Sequence, residues 1–210
     1  MRFESAGVSL GGRPVLADLH LSLAPGESVG VAGPNGSGKT TLVRTAATLV
    51  KPDAGSATVL GVDPVHDDPR EVRASIGLIG HQPALISELT LAENLTHVAR
   101  LAGIDPSRVG RALDVVGLAD AADRHAKACS FGMQRRVEIA YLLLTRPRLL
   151  LLDEAAAGLD ESARDLIGAL VRSVRDRGGG AMVVSHDRAQ LVSLCDRVLR
   201  LESGRLEATS

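Results

Sequence analysis

Residues 33–40 (GPNGSGKT) could hold the phosphates of a nucleotide, because they match the pattern G-x-x-x-x-G-K-[ST]. Such a loop presents backbone amides to phosphate oxygens, and its glycines let the backbone approach closely and adopt angles that other residues avoid. Lys39 is placed to reach the β- and γ-phosphates, and the Thr40 hydroxyl is placed to bind Mg²⁺. A chance glycine-rich turn is the alternative, but a strand pattern before the loop and a helical pattern after it favour phosphate binding.

Two adjacent carboxylates, Asp153 and Glu154, could act on the same nucleotide. They end a leucine run at 148–154 (RLLLLDE), which is typical of a strand buried on both faces of a parallel sheet. Groups that contact ligands lie at the carboxyl ends of such strands. One carboxylate can hold Mg²⁺ through water and the other can orient or deprotonate an attacking water, a form of assistance worth about 10² to 10⁴ in rate. The alternative is a solvated pair that caps the next helix.

The segment 129–136 (CSFGMQRR) is a third candidate, because it precedes an apolar, helix-like run. As a helix cap, Ser130 would contribute about 1 kcal/mol of stability. A helix N-terminus also presents unpaired amides and a partial positive charge, which suits a phosphate, and the serine hydroxyl adds a donor. Both interpretations can hold, since a cap in one state can become a ligand in another. Arg135 and Arg136 are expected to make structural or surface contacts.

The elements that must position these residues alternate as short apolar strands and helices, which predicts an α/β fold. Strands are expected at 8–10, 14–23, 27–33, 148–154 and 181–187. Parallel strands would bring the carboxyl end of the leucine strand to the same edge of the sheet as the phosphate loop.

Helix signals replace strand signals in the middle of the chain. Thr90 and Glu93 predict a capping box, while Asp105 and Pro106 predict the start of a helix that ends near Gly117. We therefore predict one domain with a helical insertion. The predicted domain covers 1–210, with a nucleotide-binding core at 1–82 and 146–210 and a helical subdomain at 83–145.

Composition limits the class of protein and its partners. With 210 residues, 45% hydrophobic content and a net charge of −1, the chain can bury a core as one globular domain. Aromatic residues make up only 1%, and the charge is near zero, so we expect no nucleic-acid partner. No segment approaches the roughly 18 apolar residues of a membrane span, so we expect a cytoplasmic chain. Cys129 and Cys195 are expected to be inert buried thiols in a reducing compartment.

The ordered set of motifs resembles the ATP-binding subunit of an ABC transporter along nearly the whole chain. GPNGSGKTT is similar to the Walker A motif of that family, LLLLDE to Walker B, and CSFGM to its signature, usually Leu-Ser-Gly-Gly-Gln. By the same resemblance, GHQP places Gln82 in the Q-loop, AGLD places Asp160 in the D-loop, and VVSHD makes His186 the switch histidine. Judged alone, Gln82 could be a solvated loop residue and His186 a local hydrogen-bonding group. His81 is expected to be structural.

The resemblance implies a P-loop NTPase core of mixed sheet and flanking helices, with an N-terminal antiparallel β portion. It also implies a homodimer that sandwiches two ATP–Mg²⁺ complexes, in which Ser130 and Gly132 of one subunit face the γ-phosphate held by the other. The implied catalytic residues are Glu154 as general base, His186 and Gln82. The implied nucleotide-binding residues are Gly33, Pro34, Asn35, Gly36, Ser37, Gly38, Lys39, Thr40, Thr41, Ser130, Gly132 and Asp160. The implied Mg²⁺ ligands are Thr40, Gln82 and Asp153.

Several positions depart from the family pattern. Cys129, Phe131 and Met133 differ from the usual signature, but the serine and the second glycine are retained. Leu10 stands where the family often stacks adenine on an aromatic ring, which predicts weak selection among bases. Ala155 replaces the usual proline after Walker B and touches neither carboxylate, so we expect hydrolysis to be retained.

The resemblance implies an ATPase that drives export through a separate transmembrane permease, at the inner face of the cell membrane. Residues 79–95 and 142–154 are most similar to the haem-export ATPases of cytochrome c biogenesis, whereas SFGM also occurs in drug and polysaccharide exporters. Two alternatives are a soluble nucleotide-dependent regulator and a nucleotide-binding module that has lost hydrolysis. The absence of a second cassette argues against the first, and Glu154 argues against the second.

Overall fold

The computed structural model of the chain describes residues 1–208. The strands are β1 (Arg2–Leu10), β2 (Arg13–Ser22), β3 (Ser28–Ala32), β4 (Ala54–Thr58), β5 (Ile76–Ile79), β6 (Leu149–Asp153), β7 (Gly180–Val184), β8 (Arg197–Glu202) and β9 (Arg205–Ala208). The helices are α1 (Lys39–Ala46), α2 (Arg70–Arg73), α3 (Leu91–Leu101), α4 (Val109–Val115), α5 (Phe131–Thr145), α6 (Glu161–Asp176) and α7 (Arg188–Leu194).

A six-stranded sheet in the order β5-β6-β7-β3-β8-β9 forms the centre of the molecule. Its first five strands in that order pair in parallel, and β9 pairs antiparallel to β8. Strand β6 is fully buried, as the leucine run predicts. Leu150 and Leu152 pack into the core on one face, while Leu149 and Leu151 pack into the core on the other. Because both faces are covered, the strand needs no polar alternation.

A second, three-stranded antiparallel sheet in the order β2-β1-β4 lies at the N-terminal end. Strands β1 and β2 form a hairpin whose two-residue turn is Gly11–Gly12, with φ of 57° and 75°. Two consecutive residues at positive φ suit the right-handed twist of a hairpin, which explains the glycine pair. Strand β1 begins earlier than its pattern predicts. The mixed α/β architecture with an N-terminal antiparallel portion is confirmed.

Helices α3, α4 and α5, which follow β5 and precede β6 in the chain, pack against one another. The capping box is confirmed: Thr90 Oγ1 accepts from the Glu93 amide at 3.1 Å, and the Glu93 carboxylate accepts from the Thr90 amide at 2.8 Å. Asp105 caps a short 3₁₀ turn that starts with Pro106, and α4 follows it, so the single helix expected there is in two parts. Among the helices of residues 1–208, none has both the length and the apolarity needed to cross a bilayer.

Candidate active site

The loop between β3 and α1 has the backbone that its glycines predict. Gly36 and Gly38 have φ of 80° and 103°, in the left-handed region that favours glycine. A Cβ on Gly33 would lie 2.3 Å from the carbonyl oxygen of Leu201, so a side chain cannot fit there. Gly38 is the N-cap of α1 and has no side chain to cap it. The first amides of α1 therefore remain available to an anion.

Lys39 and Ser37 show that this loop suits a phosphate. The Lys39 ammonium donates to the carbonyl oxygens of Gly33 at 2.8 Å and Pro34 at 2.9 Å, and the residue is only 8% exposed. The buried Ser37 hydroxyl has no hydrogen-bond partner among the described residues. An unpaired buried hydroxyl costs about 1 to 3 kcal/mol, which a phosphate oxygen could offset.

Thr40 and Asp153 meet across the end of the central sheet. The Thr40 hydroxyl, at the start of α1, donates to Asp153 Oδ2 at 2.8 Å, although the residues are 113 positions apart. Asp153 is the last residue of β6 and is buried. A hydroxyl oxygen and a carboxylate are both ligands that Mg²⁺ accepts. This donor set fits a Mg²⁺ ion next to the phosphate loop.

Glu154 forms a pair with His186. Glu154 has φ of 53°, an unusual angle for glutamate that costs of order 1 kcal/mol. Its amide donates to the carbonyl oxygen of Val184 at 2.9 Å, which joins the ends of β6 and β7. Its Oε2 lies 2.9 Å from His186 Nδ1 and 3.5 Å from the Ser185 hydroxyl. The carboxylate side chain is 15% exposed and the imidazole is 71% exposed, so the histidine is the outer member of the pair.

A cleft of about 640 Å³ brings these groups together. The lining residues are Val15, Asn35, Gly36, Gly38, Lys39, Thr40, Thr41, His81, Asp153, Glu154, Ala157 and His186. His81, which the sequence predicts to be structural, also lines this cleft. Val15 and Ala157 were missed, since an isolated apolar residue carries no chemical signal in a sequence.

Other predicted site residues do not line the cleft. Gln82 is exposed to solvent and is not a lining residue. Leu10, which is 43% exposed, lies at the hairpin turn. Ser130 caps α5 by accepting from the Met133 amide at 3.3 Å, as the cap interpretation predicts. Gly132 lies in the same turn. One chain alone therefore does not place the signature segment against its own phosphate loop.

Asp160 also lies outside the cleft, at the N-cap of α6. Its carboxylate accepts from the Ala163 amide at 2.8 Å and pairs with Arg136 at 2.9 Å. The Ala163 amide and then the Arg136 guanidinium lower the pKa of Asp160, so the group stays ionised. Arg136 makes the kind of structural contact that the sequence predicts.

The two cysteines are free thiols, and both are only partly buried. The prediction of buried thiols is therefore only partly correct. Each lies at the end of a short helical element, where packing covers one side of the residue. Burial raises the pKa of both thiols, that of Cys195 to about 12. Because the thiolate is the reactive form, both thiols are poor nucleophiles.

The chain is similar to known proteins over most of its length. The ABC transporter family model matches residues 16–157. The Nod factor export ATP-binding protein I of Rhizobium etli is 36% identical over 207 residues, covering 97% of this chain and 65% of that protein. A daunorubicin/doxorubicin resistance ATP-binding protein of Streptomyces peucetius is 37% identical, covering 90% of this chain and 58% of its own length.

A third relative, an Fe(3+) ions import ATP-binding protein of Streptomyces coelicolor, is 38% identical, covering 98% of this chain and 60% of that protein. The chain thus spans less than two thirds of the length of these three relatives.

Two solved structures have the same fold. The ATP-binding subunit of an ABC transporter superposes with a TM-score of 0.90 at 27% identity, covering all of this chain and 88% of that one. An ATP-binding cassette solved as a dimer in a post-hydrolysis state, bound to ADP and Pi, superposes with a TM-score of 0.87 at 26% identity, covering 98% and 96% of the two chains.

Proposed function

The chain belongs to the ABC transporter family, and we propose that it hydrolyses ATP as the motor subunit of an exporter, coupled to a separate transmembrane permease. One observation carries the proposal. The phosphate-loop lysine, the Thr40–Asp153 pair and the Glu154–His186 pair, which come from distant parts of the sequence, line a single cleft. These are the groups that binding and hydrolysis of an ATP–Mg²⁺ complex require.

Phosphate binding falls to the loop itself. The open amides of α1 would bind the anion, and Lys39 would exchange its two carbonyl partners for the β- and γ-phosphates. This exchange is favourable because a cation binds an anionic oxygen more strongly than a neutral carbonyl. Thr40 and Asp153 would hold Mg²⁺, whereas Gln82, which the resemblance implies as a further ligand, does not line the cleft in this structure. When bound, Mg²⁺ supplies charge neutralisation at the β- and γ-phosphates.

Hydrolysis needs a base, and we assign that role to Glu154. The carboxylate takes a proton from water as the water oxygen attacks the γ-phosphorus, and the bond from phosphorus to the ADP oxygen breaks. His186 donates through Nδ1 to the same carboxylate and so orients it. In its imidazolium form, the largely exposed ring would also donate from Nε2 to the γ-phosphate.

The signature segment is proposed to act on the nucleotide of a second copy. Ser130 and Gly132 lie at the N-terminus of α5 and Asp160 at that of α6, and all three are outside the cleft of their own chain. In a two-fold dimer, each chain would supply half of two identical sites. The similar cassette solved as a dimer with ADP and Pi supports this arrangement.

Export is the proposed direction of transport, and the inner face of the cell membrane is the proposed location. Two of the relatives are named for Nod factor export and for daunorubicin/doxorubicin resistance, whereas one is named for Fe(3+) import. Within export, the resemblance of residues 79–95 and 142–154 to haem-export ATPases implies haem as cargo, and a drug, a polysaccharide or a lipid is the alternative.

Phosphate release by the purified chain tests the core of the proposal. Hydrolysis should require Mg²⁺, stop when EDTA is added, and rise more than linearly with protein concentration if two chains form the site. A chain that binds no ATP would overturn the proposal. The direction of transport is tested with inverted membrane vesicles from cells that co-express the chain and its permease. An exporter moves its substrate into such vesicles when ATP is added, and an importer does not.

A further inference from the structure

Arg135 is a buried cation that the proposed mechanism does not use. It is the largest side chain in the described residues that is fully enclosed, with an exposed fraction of 0%. Removing a guanidinium from water is unfavourable unless its charge and its donors find partners. The partners that it finds come from two functional segments.

The first contact of Arg135 lies within α5. Its Nη1 donates to Glu138 Oε2 at 2.6 Å, and Glu138 is itself only 8% exposed. The guanidinium carbon also lies 5.2 Å from the ring centroid of Phe131, the first residue of α5 and the neighbour of Ser130. A guanidinium at this distance from a ring makes a cation–π contact. Phe131, a departure from the usual signature, thus provides a surface for the buried cation.

The second set of contacts reaches the segment 81–84. Arg135 Nη2 donates to the carbonyl oxygen of His81 at 3.0 Å, and Glu138 Oε1 accepts from the Ala84 amide at 2.9 Å. The Arg135–Glu138 pair therefore binds both ends of this segment. His81 lines the nucleotide cleft, so the pair lies between the cleft and the signature turn.

We propose that Arg135 is a positioning residue that couples the 81–84 segment to the first turn of α5, so that a nucleotide in the cleft shifts Phe131 and Ser130. The inference rests on the proposed function, because it takes the cleft as the nucleotide site and Ser130 as a phosphate ligand. An arginine suits this role because its planar fork fixes several donors in set directions. Its Nε has no hydrogen-bond partner among the described residues, so the site is not optimised for stability alone.

A fluorescence experiment tests the coupling, since the chain contains no tryptophan. Phe131→Trp introduces one fluorophore that keeps an aromatic face against Arg135. ADP with Mg²⁺ is added at protein concentrations where sedimentation shows monomers, and a fluorescent ADP analogue measures binding separately. We expect the emission of the Phe131→Trp chain to shift on binding, although residue 131 is outside the cleft.

The test variant combines Phe131→Trp with Arg135→Leu and Glu138→Leu, which removes both charges and so avoids an unpaired buried ion. We expect its emission shift to fall about fivefold or more while affinity for the analogue stays within about threefold. Without the Trp substitution, the same double change should lower kcat about 3- to 30-fold and leave KM within about twofold. Arg111→Leu, at an exposed arginine of α4, should change neither quantity and serves as the control.

Arg135→Lys, combined with Phe131→Trp, keeps the charge but has one nitrogen in place of the planar fork. Its emission shift should lie between that of the Phe131→Trp chain and that of the chain that also carries both leucines. An unchanged shift in the double variant would overturn the inference and leave the proposed function intact. So would a shift that grows with protein concentration, because dimerisation would then be its cause. Failure of the analogue to bind the unaltered chain would instead contradict the proposed function.

Discussion

The phosphate-loop cleft and the signature turn differ in how completely one chain assembles them. In the cleft, two pairs of polar groups join different elements: Thr40 meets Asp153, and Glu154 meets His186. In the signature turn, the Ser130 hydroxyl accepts from an amide of its own helix, and Phe131 is 40% exposed. A parallel sheet gathers the first set because the carboxyl ends of its strands lie along one edge.

This difference implies that one chain suffices to bind nucleotide, whereas hydrolysis needs the signature turn of a second chain. A site built within the chain can bind nucleotide alone, whereas an outward-facing helix N-terminus needs an anion brought to it. The comparison therefore predicts that changes in the cleft act on the nucleotide of the same chain and that changes in the signature turn act on that of another. The following variants test this division, from the largest expected effect to the smallest.

Glu154→Gln should lower single-turnover hydrolysis by about 10² to 10⁴, because an amide of the same size cannot take the proton from water. ATP affinity should be nearly unchanged, and a nucleotide-bound dimer should accumulate in size-exclusion chromatography. Glu71→Gln, at an exposed glutamate of α2, is the matched control. Near-normal turnover in the purified Glu154→Gln chain would remove this residue from its assigned role.

Ser130→Arg should abolish hydrolysis without weakening ATP binding by the separate chain, since the residue is outside its own cleft. Mixing this variant with Glu154→Gln gives the sharper measurement. If the residues act on opposite nucleotides, one site of the mixed dimer carries both changes and the other is intact, so phosphate release should recover. Mixed dimers verified by two affinity tags that remain silent would favour action within one chain.

Lys39→Ala should weaken ATP binding by roughly 1.5 to 3 kcal/mol, or about 10- to 150-fold, because a charge-assisted phosphate contact is lost. Equilibrium titration with a fluorescent ATP analogue measures the change. Lys51→Ala, at an exposed lysine beyond α1, should bind like the unaltered chain. Equal affinity of the two variants would count against the phosphate-loop assignment.

Leu10→Tyr should give the smallest effect, a gain in nucleotide affinity of about fivefold. Base stacking on an aromatic ring is worth about 1 to 3 kcal/mol, and we expect the lower end because residue 10 does not line the cleft. In the unaltered chain, preference for ATP over GTP should stay below about a hundredfold in competition binding. Leu49→Tyr, at a leucine that is 56% exposed, controls for surface aromatics. A stronger preference for ATP would reveal an adenine contact that these residues do not supply.

Local signals allowed much of the fold and the site to be predicted. The phosphate loop, the leucine strand, the Thr90–Glu93 box and the Ser130 cap each depend on residues close in the chain, so their spacing alone specifies them. The expected helix after Asp105 begins with a 3₁₀ turn before α4, a form that the first turn of a helix often takes. Nearby residues also determine this first turn, but a 3₁₀ turn and an α-helical turn share the same sequence pattern.

The sequence by itself determined which residues could do chemistry: a glycine-rich loop with its lysine, two carboxylates after a buried strand, and a serine at a helix start. Only the tertiary structure decided which of them meet. The order β5-β6-β7-β3 places Glu154 against His186, 32 positions away, and turns His81 rather than Gln82 toward the cleft. It also encloses Arg135, whose charge in the sequence suggests a surface residue. The physical reason is that strand order and burial arise from packing among segments distant in the chain, and no local spacing encodes those contacts.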